Sequence, residues 1–289
     1  MEGQALCLWL PHHWGLGGSF SLNIFSMLTA TFIHAPGVGP ATEQALWAQG
    51  VRSWNDYQQQ ASGLRLPPRH KITLHRTIED SLTALEEGRT DFFARNLPKR
   101  EHWRAASQFP KIGYLDIETN GGMSSDAITL IGLYDGFEMH SYVKGQNLAQ
   151  FAYESQDYDG FVTFFGTGFD LPFLKRRFPV LESVFADRFH IDLCPLLKRL
   201  GHTGGLKKIE QQLHIARVPE TDGLSGMDAV RLWRAYRKGG RGADDALRLL
   251  LAYNKEDVIN METLLRYAVP RLEVLAGYTK ASVEHGERK

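Results

Sequence analysis

Asp116 and Glu118 stand two residues apart in Tyr114-Leu115-Asp116-Ile117-Glu118-Thr119. In a strand, alternate residues share a face, so both carboxylates would project to one side, roughly 7 Å apart along the backbone. Leu115 and Ile117 would point the other way, into a core. Two acids on one face of an apolar strand repel unless something positive lies between them. Hard oxygen donors of this kind suit magnesium or manganese. Taken alone, the pair also fits an edge face whose acids are simply solvated. Asp170 follows the apolar run Phe161–Phe165 through Gly166-Thr167-Gly168 and precedes Pro172. That place suits a metal ligand and equally a plain helix N-cap. Tyr253 and Asp257 lie four residues apart in a helical stretch, hence on one face with Cβ atoms ~6 Å apart.

These side chains need a scaffold. Apolar, β-compatible runs predict strands at Ile112–Ile117, Ala127–Tyr134, Phe137–Val143, Phe161–Phe165 and Phe189–Leu193. Asp135-Gly136 joins the second and third as a hairpin, and the almost wholly apolar fourth reads as buried on both faces. Helical spacing follows over Leu206–Leu213, Asp228–Arg237 and Ala243–Tyr267, making residues 111–270 an α/β domain. Upstream, residues 64–110 read as a helical connector ending at Pro110. Residues 27–63 read as a small α-helical module. Its helices would be Leu28–His34 and one beginning at Ala41-Thr42-Glu43, joined by Pro36-Gly37-Val38-Gly39-Pro40. Residues 1–26 are expected to be a poorly ordered extension, with Met27 an alternative start, and residues 271–289 a C-terminal tail.

In combination and order, Asp-x-Glu on the first strand, an Asp after a buried strand, and Tyr-x-x-x-Asp on a late helix resemble the DEDD superfamily of 3′→5′ exonucleases. The tyrosine points to the DEDDy subclass. The resemblance covers residues 111–270, and Gly205-Leu206-Lys207-Lys208-Ile209-Glu210 looks like the helix such nucleases carry between the second and third motifs. The chain is similar to a group of bacterial ribonuclease-H-like predicted exonucleases. The resemblance implies a ribonuclease-H-like mixed sheet flanked by helices and a two-metal site for Mg2+ or Mn2+. In it Asp116 would bridge two ions ~4 Å apart, with Glu118, Asp170 and Asp257 completing their shells. Tyr253 would orient the attacking water, and Thr119 would lie beside the terminal nucleotide. One departure stands out. Such proteins often have Asn ahead of the motif-two glycine, where this chain has Phe165, which cannot hydrogen-bond a substrate through its side chain.

The Pro36–Gly39 turn resembles a helix-hairpin-helix, which would hold DNA phosphates on backbone N–H groups at Gly37 and Gly39. No Lys or Arg occurs in residues 1–50, so a structural or protein-docking hairpin is the other reading. The formal net charge is zero, yet residues 175–241 carry +7. Lys175 and Arg176, then Arg231 and Arg234, are the candidate phosphate contacts there, with Trp233 and Tyr236 interleaved. Two distant cysteines without CxxC spacing argue against a thiol zinc site or redox dithiol and fit a reducing, cytoplasmic setting, and no HxxxH pair occurs for a histidine-ligated metal. No apolar run approaches the ~20 residues that cross a bilayer. The expectation is a metal-dependent 3′→5′ exonuclease acting on single-stranded DNA ends, with RNA also open. Its rival is a ribonuclease-H-like nucleic-acid-binding or scaffold protein without turnover.

Overall fold

A mixed five-stranded sheet carries the first acidic motif, Asp116 and Glu118. The computed structural model describes residues 27–278, and the expected extension at residues 1–26 lies outside them. Helices α1 (Pro40–Ala48), α2 (Trp54–Gln60), α3 (Pro68–Glu86) and α4 (Thr90–Asn96) come first, then a 3-10 segment over Lys99–Ala105. The strands β1 (Ile112–Thr119), β2 (Ile128–Tyr134) and β3 (Met139–Val143) follow. A short helix α5 (Phe151–Glu154) leads to β4 (Gly160–Thr163), and α6 (Asp170–Arg177) and α7 (Leu181–Ala186) lead to β5 (Phe189–Asp192). Four helices complete the described chain: α8 (Leu193–Arg199), α9 (Leu206–Gln212), α10 (Gly226–Lys238) and α11 (Ala243–Leu275).

The sheet order is β3-β2-β1-β4-β5, with β1 to β3 an antiparallel meander and β4 and β5 parallel to β1. Strand alternation divides the sheet into two faces. Leu115 and Ile117 pack with Phe161, Phe173 and Leu174 on the α6–α7 side. Leu130 and Val143 pack with Trp233, Leu250 and Tyr253 on the other side, beneath α10 and α11. Asp116 and Glu118 therefore open towards α11, as the period of two requires. The hairpin turn also forms as expected. Asp135 Oδ1 accepts the amides of Phe137 and Glu138 at 2.8 and 2.7 Å.

Gly132 lies opposite Asp116 in the β1–β2 register. A Cβ at Gly132 would collide with Asn254 of α11, besides Met139 and Val258. This missing side chain lets the long helix settle on the strand that carries the acids.

Two expected elements are corrected. Residues 28–34 form successive turns, so the Pro36–Gly39 turn does not join two helices. The backbone groups a helix would use are taken by side chains from elsewhere. Glu43 Oε1 accepts the amides of Phe32 and Ile33 at 2.7 and 3.3 Å. The indoles of Trp47 and Trp54 donate to the carbonyls of Ala30 and Thr31 at 2.9 and 2.7 Å. The last helix, expected to end at Tyr267, continues through Pro270 to Leu275. A boundary at residue 270 thus falls inside α11. Leu272 and Tyr278 join the core that the N-terminal helices share with Phe189, Leu196 and Leu264. Within that core, buried Arg104 links Glu43 and Glu101, each at 2.9 Å.

Candidate active site

Three carboxylates converge where β1 meets α11. Asp116, Glu118 and Asp257 each offer an oxygen within 4.8 Å of the other two. The strand supplies two of them by alternation, and α11 brings the third across the sheet. Asn254, one helical turn before Asp257 and fully buried, donates from Nδ2 to Asp116 Oδ2 at 2.8 Å. Asp170 stands beside this trio at the first position of α6 and is 2% exposed. Its Oδ1 accepts the amide of Ile117 at 3.0 Å. Pairing of β1 with β4 ends at Tyr114, and the Ile117 amide lies beyond it. So Asp170 acts on the strand rather than simply capping its own helix.

Crowding acids in a buried site costs free energy, and their proton affinities show it. Burial, then the neighbouring carboxylates, hold Asp116 and Glu118 well above the usual carboxylate range. Asp170 is pushed up to about 7, chiefly by burial, against the opposing pull of the Ile117 amide. Asp257 is raised by burial and drawn back by Arg217. A divalent cation would offset the mutual repulsion of this donor set, and all-carboxylate oxygens fit a hard ion such as Mg2+ or Mn2+.

Two cations close to Asp257 were not singled out from the sequence. Arg217, in the loop after α9, forks onto Glu210 at 2.7 and 2.8 Å and also donates to Asp257. Lys207 Nζ is buried without a hydrogen-bond partner among the described residues and lies 4.1 Å from the centroid of the Tyr253 ring. It also draws down the proton affinity of Glu118. Lys207 falls in the quoted Gly205–Glu210 stretch, whose likeness to the helix between the second and third motifs was the available signal. Nothing in the sequence marks Arg217. Tyr253 lies one turn before Asp257, and burial, reinforced by the three acids, keeps its phenol protonated.

The loop after β4 is held by Asp192, whose oxygens accept the amides of Phe165, Thr167 and Cys194 at 2.8, 3.1 and 3.2 Å. Asp192 is thus a structural brace. Phe165 adopts φ +63°, a left-handed conformation that asparagine tolerates and bulky residues rarely adopt. The residue is 56% exposed. Thr119 follows Glu118 at an irregularity in the β1–β2 pairing and accepts the Gly121 amide at 3.3 Å. Arg234 approaches Gly121. An open groove of about 670 Å3 lies between Asn120–Gly122 and the end of α10, lined also by Arg237 and Lys238. Arg231 turns to Asp228 at 2.8 Å. Lys175 pairs with Glu182 at 3.0 Å, and Arg176 covers the Phe173 ring. The structure therefore brings Arg234 to the loop leaving β1, while Arg231, Lys175 and Arg176 are engaged elsewhere. Gly37 adopts φ +79° and Gly39 caps α1, both in the N-terminal segment.

Fold and site together define an α/β protein with a buried carboxylate cluster suited to a divalent metal. Residues 113–269, more than half of the chain, match the model of the RNase H superfamily, and the chain belongs to that superfamily. Its membership implies a nucleic-acid substrate and a nuclease-type phosphodiester chemistry. No curated protein matches the chain. Among the described residues, no helix is long and apolar enough to cross a membrane.

The raised carboxyls carry a testable pH dependence. Asp170 titrates near 3.8 when unfolded and near 7 when folded. Its folded form thus holds the proton more tightly, and metal-free stability falls as pH rises between these values. Buried His34 and His190, both lowered to about 4 by burial, act oppositely below their ordinary value of 6.5. Comparing the same protein with Mn2+ and with EDTA cancels the histidines. Protons compete with the metal for the carboxylates, so the gap in Tm should widen as pH rises from 6 to 8. Scanning calorimetry checks this, and a gap that is constant or narrows with pH would refute the assignment.

Proposed function

We infer that the chain is a metal-dependent 3′→5′ exonuclease of the DEDDy type, removing nucleotides from single-stranded DNA ends in the cytoplasm. The observation that carries this reading is the approach of Asp116, Glu118 and Asp257 within 4.8 Å, with Tyr253 one helical turn from Asp257. Asp116, Glu118 and Asp257, joined by Asp170, would hold two ions, Mg2+ or Mn2+. Bound there, such ions supply Lewis-acid polarisation of a phosphodiester and acidification of water.

The remaining tasks fall to the chain. Asn254 fixes the Asp116 carboxylate through its hydrogen bond, as partners behind a ligand commonly do. Arg217 steadies Asp257. Tyr253, kept protonated, can donate its hydroxyl hydrogen to the attacking water and so orient it without acting as a base. The buried ammonium of Lys207, 4.1 Å from the centroid of the Tyr253 ring, can offset charge that builds on the phosphate. Thr119 and the groove of Arg234, Arg237 and Lys238 offer the strand a cationic path away from the carboxylates.

The test uses purified protein with 3′- or 5′-labelled single-stranded DNA and RNA, in Mg2+, Mn2+ or EDTA. The expected result is stepwise shortening from the 3′ end, on DNA before RNA, absent in EDTA. Internal cleavage, or shortening from the 5′ end, would overturn the direction. Binding of the strand without any cleavage would favour the non-catalytic reading that Phe165 raises.

A further inference from the structure

A second cavity, of about 400 Å3, lies between the N-terminal segment and the outer edge of the sheet. The 3-10 segment at Lys99–Ala105 forms one wall, and β5 with α6, α7 and α8 forms the other. The residues of the first wall precede the 113–269 stretch that matches the superfamily. The cavity is therefore built jointly by the family domain and the segment that precedes it, the kind of boundary where small-molecule sites concentrate.

Its chemistry is two-sided. Leu171, Pro172, Phe185 and Leu196 give it an apolar floor. Lys99, Arg100, Lys175, Arg188 and Arg199 surround that floor. Glu182 pairs with Lys175, and Glu101 attracts Arg199 at 3.4 Å and Arg100 at 3.9 Å, but neither acid lines the cavity. Lys99 has no ion-pair partner among the described residues. Among the described residues the Arg188 guanidinium donates only to backbone carbonyls, those of Tyr158 and Asp187, and none of their acids pairs with it. Asp192 is the only carboxylate in the lining among the described residues, and backbone amides already engage its oxygens. The enclosed field is positive over an apolar surface. A free anion would gain nothing from the floor, and an uncharged ring would gain nothing from the rim.

We propose that this cavity binds a nucleoside monophosphate, with the base against Leu171, Pro172 and Phe185 and the phosphate among the Lys99 and Arg188 cations. The choice of a nucleotide among phosphorylated ring compounds rests on the exonuclease reading, whose released product has this chemistry. The site shares no carboxylate with the metal cluster. It does share a helix start, since Asp170 is followed directly by Leu171 and Pro172.

The experiment is calorimetric titration of the full chain carrying Asp116→Asn, in EDTA, so that no metal site contributes. The probes are deoxyadenosine monophosphate, deoxyadenosine and inorganic phosphate. The monophosphate should bind saturably and at least about tenfold more tightly than either half alone. Lys99→Glu should weaken it about tenfold through loss of a charge-assisted contact. Ala186→Trp, at an exposed position on the cavity wall, should abolish binding by filling the space. No saturable binding, equal affinity for deoxyadenosine, or affinity unchanged in both variants would overturn the proposal. Neither metal nor hydrolysis enters the measurement. A failed nuclease assay and a failed titration are thus separate results.

Discussion

Replacing Asp116 by asparagine is expected to lower metal-dependent hydrolysis by about a thousandfold or more, while leaving the metal-free protein as stable as before or more so. The two halves have one cause. Asp116 lies among three other carboxylates, and its charged form is disfavoured by burial and by those neighbours. Asparagine keeps the shape and can still accept the Asn254 hydrogen bond through its side-chain oxygen. It removes the charge that a divalent ion needs, and metal-supplied charge stabilisation is worth several kcal/mol of barrier, about tenfold per 1.4 kcal/mol. Paired measurements decide the matter: turnover on a 3′-labelled strand, and Tm in EDTA. Retained turnover would remove Asp116 from the site. Lost turnover with a large fall in Tm would make it a structural residue.

Arg217→Met should cost about 3–5 kcal/mol of stability, the usual penalty for removing one partner from a buried ion pair. For a domain of this size that is a fall in Tm on the order of 10 °C. Arg217 is 4% exposed at its side chain and joins Glu210, itself buried, to Asp257. Without it both carboxylates would lie in the interior without a guanidinium. Adding Glu210→Gln to Arg217→Met should recover part of the loss, because one of the stranded charges is then gone. Thermal melts of the two variants test this. A single variant within about 1 kcal/mol of the parent would show that water reaches these acids and that Arg217 does not set the resting state of Asp257.

Much of the acidic site was legible because local periodicity wrote it. Asp116 and Glu118 share a face by strand alternation, and Tyr253 and Asp257 share one by helical spacing. Neither relation depends on the rest of the fold. Asp170 was legible through the buried strand and glycine turn before it, although its hydrogen bond to Ile117 was not. What stayed hidden depends on packing between distant segments. Asn254 reaches Asp116 only because Gly132 leaves room, and Arg217 reaches Asp257 from a loop with no regular pattern. The misread helix at residues 28–34 has the same origin. Glu43, Trp47 and Trp54 compete for its backbone groups, and no local propensity reveals a competitor that arrives from another element.

The meeting of Trp47 with Tyr278, ring centroids 5.1 Å apart, has a bearing on how the molecule is made. Gln44 donates to the carbonyl of Ala276 at 2.9 Å, and Arg52 covers the Tyr278 ring. A ribosome delivers Trp47 and its helix early and Tyr278 only after the whole sheet. The N-terminal helices must therefore wait, with apolar surface uncovered, until the end of α11 emerges to close over them. Their partners Phe189 and Leu264 also come late. The earliest-made part of the described chain is among the last to be finished, because its cover and the Asp257 side of the metal-binding face arrive on the same helix.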